Sequence, residues 1–221
     1  MSGYGQFCAV ARALEVLGER WTLLVVRELL MGASSFGDIR RGLPRIPKAT
    51  LSARLRALRA AGIVDADYRL TETGSALAPV VRELARWAVT TDAVALSEHD
   101  LDTAALTWDM QRRIDIDALP AQPVVLALEF SDRPPADRRF WLHLSRRGVD
   151  LCRDDTGAPV DLWLTAPTET LTRWWLGESR WTDVLGHPEV HLHGDLALQR
   201  RLPAWFRRYA FTPDALAAAS G

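Results

Sequence analysis

The sequence predicts two domains, a mainly α-helical domain followed by an α+β domain. Residues 1–92 contain 13 basic and 9 acidic side chains, whereas residues 93–221 contain 14 and 19. Apolar residues recur with helical spacing in the first part, and short β-rich runs dominate the second. The length of 221 residues fits one or two domains. We place the boundary after residue 97, which gives domains at 1–97 and 98–221.

Composition excludes several classes of protein. The two cysteines, Cys8 and Cys152, are far apart, so we expect no disulfide framework and a reducing cytoplasmic location. The N-terminus lacks the order of a signal peptide, and no apolar run approaches the ~18 residues of a membrane span. No P-loop, GxGxxG or GxSxG motif is present, so we expect neither an enzyme nor a cofactor.

The first domain begins with three predicted helices. Val10, Leu14 and Leu17 follow i, i+4, i+7 spacing, and Gly18 ends that helix. A second helix carries Trp21, Leu24, Val25 and Leu29 and ends before Gly32, a residue that tolerates positive φ. Ser34 or Ser35 offers the N-cap of a short third helix over Phe36–Gly42.

The next helix coincides with a concentration of positive charge. Residues 40–59 contain seven basic side chains and no acid, although the whole chain has a net charge of −1. Pro47 suits the first turn of a helix over Lys48–Ala61, whose buried stripe is Leu51, Leu55 and Leu58. A short helix, a tight turn and a basic amphipathic helix form a helix-turn-helix, whose second helix enters the major groove of DNA.

A wing and a final helix complete the first domain. Ile63–Val64 and Tyr68–Leu70 are predicted as two short strands around Asp65, Ala66 and Asp67. A helix is then expected from Ser75 to about Leu96, where such helices usually join a dimer interface. The prediction for this domain is thus a mainly-α winged helix-turn-helix.

Several motifs in order resemble the HxlR family of transcriptional regulators, over residues ~6–90. They are Cys8–Leu14, Leu17–Leu24, Arg27-Glu28-Leu29, Phe36-Gly37-Asp38-Ile39, Leu51–Leu58 and Tyr68–Thr71 with Gly74 and Leu77. The resemblance implies a homodimeric winged-helix repressor or activator that binds double-stranded DNA. Family wings usually carry a longer loop between the two strands. Here the loop is nearly closed by Asp65, Ala66 and Asp67, which argues against minor-groove contact by this wing.

The DNA-binding surface follows from these elements, with a solvated helix face as the alternative. Lys48, Thr50 and Ser52 lie early in the recognition helix and are placed to reach base edges, whereas Arg45, Arg56 and Arg59 suit phosphate contacts. Arg54 lies near the leucine stripe and has an internal ion pair as its alternative. The full predicted set is Arg40, Arg41, Arg45, Lys48, Thr50, Ser52, Arg56, Arg59 and Arg69.

The second domain alternates strands and helices. After a helix at 101–117, strands are predicted at Val124–Phe130, Arg139–Ser145, Gly148–Arg153, Asp161–Thr165 and Val190–His193, with helices at Thr168–Leu176 and Trp181–Leu185. The segments Asp161–Ala166, Thr168–Leu171, Trp174–Glu178 and Val190–Asp195, with Trp181, resemble sterol-carrier-protein-like domains over about 120–208. This resemblance implies a five-stranded sheet with helices around an apolar cavity for a small apolar effector. Trp141, Trp163, Trp174, Trp175 and Trp181 are the pocket candidates, with core packing as the alternative.

A cysteine near the N-terminus and three histidines near residue 190 form two further candidate sites. Cys8 begins a helix with Arg12 one turn on, a setting that permits a reactive thiol, and a small buried residue is the alternative. His187, His191 and His193 lack a cysteine or acid that completes a ligand set, so no metal is expected. The functional hypotheses are a DNA-binding regulator, a hydrophobic-ligand carrier with a dimerising winged-helix module, and a thiol switch at Cys8.

Overall fold

The structure, a computed structural model, describes residues 3–91 and 96–211 and divides into two units, residues 1–88 and 89–221. The helices of the first unit are α1 (Ala9–Leu17), α2 (Thr22–Leu30), α3 (Phe36–Gly42), α4 (Lys48–Ala60), α5 (Glu72–Ser75) and α6 (Ala78–Thr90). The first four agree with the prediction to within a residue or two. Ser35 caps α3 by accepting a hydrogen bond from the Asp38 amide at 3.1 Å.

The core of the first unit holds the helix-turn-helix together. Helix α2 packs against both α3 and α4. Its Val25, Val26 and Leu29 are buried, as are Ile39 of α3 and the predicted leucine stripe of α4, composed of Leu51, Leu55 and Leu58. Burying an aliphatic side chain stabilises the fold by ~1.5–3 kcal/mol. This stripe therefore fixes how α4 is rotated about its own axis.

A buried carboxylate lies under the turn between α3 and α4. Glu28 is fully buried and forms an ion pair with its neighbour Arg27, whose Nη2 also lies 3.5 Å from the Gly42 carbonyl oxygen. The Glu28 carboxylate fills the space that a Cβ on residue 42 would need. A larger residue at position 42 would therefore displace this carboxylate. The preference for glycine comes from this contact and not from the backbone, because Gly42 does not have a positive φ.

Two predictions for the end of the first unit are wrong in detail. The wing has no strands: Val64 and Leu70 form an isolated antiparallel bridge. The Asp65 carboxylate closes the turn by accepting from the amides of Asp67 at 2.9 Å and Arg69 at 2.8 Å, so too few residues remain to extend a ladder. The helix expected from Ser75 to Leu96 begins later, because the short α5 ends at Ser75 and α6 covers Ala78–Thr90. Residues 92–95 of that prediction lie outside the described residues.

The second unit is α+β, as predicted, and contains one five-stranded sheet in the described residues. Its strands are β1 (Val124–Phe130), β2 (Arg139–Ser145), β3 (Gly148–Cys152), β4 (Leu162–Ala166) and β5 (His191–Gly194). They lie in the order β3-β2-β1-β4-β5, with β1 and β4 parallel and the other neighbours antiparallel. The helices are α7 (Thr103–Arg112), α8 (Pro135–Arg138), α9 (Thr168–Trp175), α10 (Trp181–Leu185) and α11 (Leu196–Arg201).

The sheet has one face on the core. Leu126, Leu128 and Phe130 of β1 join Phe140 and Leu142 of β2 in a cluster with side chains of α7 and α9. The intervening residues point to the other face because side chains alternate along a strand. The predicted helix at 101–117 is shorter than expected, since α7 ends at Arg112 and a 3₁₀ turn follows at Ile116–Ala118. Among the described helices, none is long and apolar enough to span a membrane.

Candidate nucleic-acid interface

The basic side of α4 lies beside its buried leucine stripe, about 90° around the helix axis. Lys48, Ser52 and Arg56 follow i, i+4, i+8 spacing and therefore share one face. Lys48 and Arg56 are exposed and Ser52 is half-buried. No ion pair or hydrogen bond ties the Arg56 side chain to any described residue. Thr50 lies about 200° around the axis from Lys48, so the structure does not bring it to this face.

The N-terminus of α4 is open to a ligand. Pro47 is the N-cap, makes no side-chain cap hydrogen bond, and the first turn contains no acid. The free amides at the start of a 13-residue helix, together with its dipole, favour an anion there. The exposed Arg45 precedes this end by three positions in the chain. A phosphate group is the anion that such an arrangement suits.

Arg54 belongs to the structure of the motif and not to its exposed face. Its Nε donates to the Arg20 carbonyl oxygen at 3.0 Å, and its Nη2 pairs with the Glu19 carboxylate at 2.7 Å. The internal alternative for Arg54 is therefore confirmed. The contact ties α4 to the loop between α1 and α2, where Trp21 has a φ of 80°.

Arg59 was predicted to contact phosphate, but its side chain is also held by internal hydrogen bonds. Its Nε and Nη2 donate to the carbonyl oxygens of Asp65 and Ala66, each at 3.0 Å. Its guanidinium carbon lies 4.7 Å from the ring centroid of Tyr68. Arg59 thus braces the short wing against α4. Sequence spacing alone could not show this, because the partners are backbone oxygens of a turn.

The remaining basic candidates differ in their exposure and in their ion pairs. Arg41 of α3 pairs with Asp38 at 3.2 Å, and Arg40 is half-buried, with its Nε buried and without a hydrogen-bond partner in the described residues. The Arg69 side chain is exposed on the wing. The structure therefore leaves Lys48, Arg56 and Arg69 most accessible, with Arg45 at the helix start.

The five tryptophans of the predicted pocket do not gather around a common cavity. Trp174 and Trp175 are buried and pack edge-on against Phe206, and Trp181 lies 4.9 Å from Trp174 by ring centroids. Trp163 donates its Nε1–H to Glu129 at 3.2 Å. Trp141 is buried on the sheet face away from the main cluster. This packing favours the core alternative for the group.

The cysteine and histidine candidates are exposed or half-buried. Cys8 is the N-cap of α1 and fully exposed. The nearby backbone amides of Ala11 and Val10 lower the pKa of the Cys8 thiol below its ordinary value, although the thiol accepts no cap hydrogen bond. His191 and His193 stack with ring centroids 6.4 Å apart. In residues 3–91 and 96–211, no group of three or more histidine, cysteine or acidic side chains is arranged to hold a metal ion.

This arrangement of α2 to α4 and the short wing is that of a helix-turn-helix transcriptional regulator. The chain belongs to the HxlR-like helix-turn-helix family, whose family model matches residues 16–93. An uncharacterised HTH-type regulator of Bacillus subtilis, YvaP, is 37% identical over 87 residues, which cover 35% of this chain and 81% of the relative. An uncharacterised HTH-type regulator of Mycobacterium tuberculosis is 44% identical over 89 residues, which cover 36% and 56%. The chain thus spans little more than half of that mycobacterial relative.

Solved structures resemble each unit separately. The quinone-bound YodB of Bacillus subtilis shares 34% identity, covers 37% of this chain and 97% of its own, and has a TM-score of 0.35. The ubiquinone synthesis protein UbiJ-SCP2 shares 16% identity, covers 61% and 96%, and has a TM-score of 0.33. The second unit is assigned to the α+β class from its own helices and strand order.

We expect substitutions of Arg54 and Arg56 on α4 to have different effects on the free energy of unfolding. Arg54→Ala should lower the free energy of unfolding by about 1 kcal/mol, because it removes an ion pair and a hydrogen bond to the Arg20 carbonyl oxygen. Arg56→Ala should leave it nearly unchanged, since Arg56 has no internal partner. Urea denaturation of both variants checks this. Equal losses for the two would contradict the assignment of Arg54.

Proposed function

We propose that the protein is a sequence-specific transcriptional regulator that binds double-stranded DNA through α4. The observation that carries this proposal is the basic side of α4, where the exposed Lys48 and Arg56 flank the half-buried Ser52, about 90° around the helix axis from the buried leucine stripe. Residues 40–59 contain no acid to offset their charge. A docked helix with such a face suits the major groove.

The contacts divide by chemistry. Phosphates attract Arg45, Arg56 and the open N-terminus of α4, and these contacts position the helix without reading sequence. Lys48 and Ser52 lie within the first two turns, from which side chains reach base edges in helix-turn-helix complexes. The exposed Arg69 extends the positive surface onto the wing. We assign Arg59 a bracing role beside any phosphate contact, because two of its donor groups are held by the wing.

Removing one phosphate contact should change the salt dependence of binding. For Arg56→Ala, we expect weaker binding to the operator and a slope of log K against log salt that is smaller by about 1, since one released counterion is lost. Fluorescence anisotropy at several salt concentrations measures both quantities. Arg173→Ala is the control, because Arg173 lies in the second unit and pairs with Glu169 and Glu178. An unchanged slope for Arg56→Ala would remove this residue from the interface.

We also propose that the regulator is a homodimer. Helix α1 has no buried residue, and its Val10 and Leu14 are 65% and 42% exposed. On α6, Val80, Leu84 and Trp87 follow i, i+4, i+7 spacing and are exposed by 45–56%. Two amphipathic helices with uncovered apolar faces are a surface that a second copy of the chain would bury.

A charge on these faces should prevent assembly. Val10→Glu and Leu84→Glu are expected to shift the molar mass from dimer to monomer, because an unpaired carboxylate is costly inside an apolar interface. Light scattering after gel filtration gives the mass. Leu196→Glu is the matched control, since Leu196 is 66% exposed on α11 of the second unit. A monomeric native chain, or a dimer in both α1 and α6 variants, would contradict the proposal.

A thiol switch at Cys8 is a second candidate function. The specific observation is a fully exposed thiol whose pKa is lowered by the amides of Ala11 and Val10. The thiolate is the reactive form, so a lower pKa increases the reactive fraction near neutral pH. Cys8 also adjoins the apolar face of α1, so its modification could alter the proposed dimer.

The pH dependence of alkylation tests this candidate. The rate of Cys8 with iodoacetamide should rise with pH and reach half its maximum below the range of an ordinary thiol, because the folded state favours the thiolate. Peptide mass spectrometry separates this rate from that of the half-buried Cys152. DNA binding of Cys8→Ser should no longer respond to oxidant. A retained response, or an ordinary midpoint, would reject the switch.

A small apolar effector in the second unit is also part of the proposal. Its support is the indole N–H of the buried Trp141, which has no hydrogen-bond partner in the described residues. An effector can alter DNA affinity only if it binds the DNA-competent and incompetent states unequally. A carrier function without DNA binding has no separate observation in its favour.

A further inference from the structure

A cavity of about 620 Å³ lies at the end of the sheet in the second unit. It is formed where β1 begins and where the hairpin between β2 and β3 turns. Its volume is in the range of small-molecule sites, ~300–1,000 Å³. The lining includes no tryptophan, so it is distinct from the predicted pocket.

Arg146 is one of two arginines that line this cavity. Arg146 donates from Nε and Nη2 to the Leu119 carbonyl oxygen at 3.2 and 3.1 Å. A guanidinium has five N–H donors, so three of those of Arg146 remain. The partner of Arg146 is a neutral carbonyl group, which orients the guanidinium group without an ion pair.

Arg147 adds a further charge at the hairpin turn. Its side chain is exposed, and no ion pair joins it to a described residue. The acid in the lining is Asp150, which faces His143 across β2 and β3. The His143 Nε2 lies 3.2 Å from the Thr156 hydroxyl. Two arginines therefore outweigh one carboxylate in this cavity, in a unit whose overall charge is negative.

We propose that this cavity binds a small organic anion, a carboxylate or a phosphate ester. The planar fork of a guanidinium matches the oxygens of both groups, and bidentate pairs of this kind are strong. Ala121, Pro123 and Val125 provide an apolar wall for the rest of the molecule. The proposal goes beyond DNA binding and does not depend on it, because it concerns the protein alone.

Titration calorimetry of the full chain without DNA tests the site at constant ionic strength. The probes are benzoate and phenyl phosphate, with benzylamine as the cationic comparison. We expect saturable binding of at least one anion, and the tighter of the two identifies the headgroup. Arg147→Ala should weaken it about tenfold, the effect of one charge-assisted hydrogen bond, and Asp150→Asn should tighten it. Arg173→Ala, on α9, should change nothing.

A measurement on the unaltered protein guards against misfolded variants. In histidine-labelled protein, the anion should shift the NMR signals of His143, which lines the cavity, and leave those of His191 and His193 in place. Three outcomes would overturn the proposal. They are no saturable binding of either anion, tighter binding of benzylamine, and equal affinities of the native chain and Arg147→Ala.

Discussion

The proposed interface depends on the burial of three leucines along one side of α4. Leu51, Leu55 and Leu58 are at most 2% exposed, and helix α2 packs against their helix. Rotating α4 by one residue, about 100°, would move this stripe out of the core at a cost of several kcal/mol. The orientation of Lys48, Ser52 and Arg56 toward solvent is therefore set by packing. The surface chemistry follows from the apolar side of the same helix.

Arginine serves two purposes on this one helix. Arg54 and Arg59 donate hydrogen bonds to backbone carbonyl oxygens and, for Arg54, to a carboxylate. Arg56 has no such partner in the described residues. The first pair fixes the α1–α2 loop and the wing relative to α4. Since a guanidinium has several directed donors, one side chain can join segments that no apolar contact connects.

The sequence predicted the elements whose signals are local. Periodic leucines, Ser35 and Gly32 placed α2 to α4 well, and alternating β-rich runs placed all five strands within one residue at most ends. The wing was mispredicted because Asp65 uses its side chain to close the turn. The later start of α6 was missed although Pro79 lies in its first turn, a position that favours proline. The partners of Arg59 and Arg146 are carbonyl oxygens, which no residue type identifies.

The buried Glu28 links two positions that are far apart in the chain. Its carboxylate occupies the volume next to Gly42, so a side chain at 42 would force the Glu28 carboxylate to move. Changes at these two positions should be strongly non-additive, because a smaller residue at 28 makes room at 42. The carboxylate in the core of α2 therefore sets which residue fits at the end of α3, just before the turn that carries Arg45.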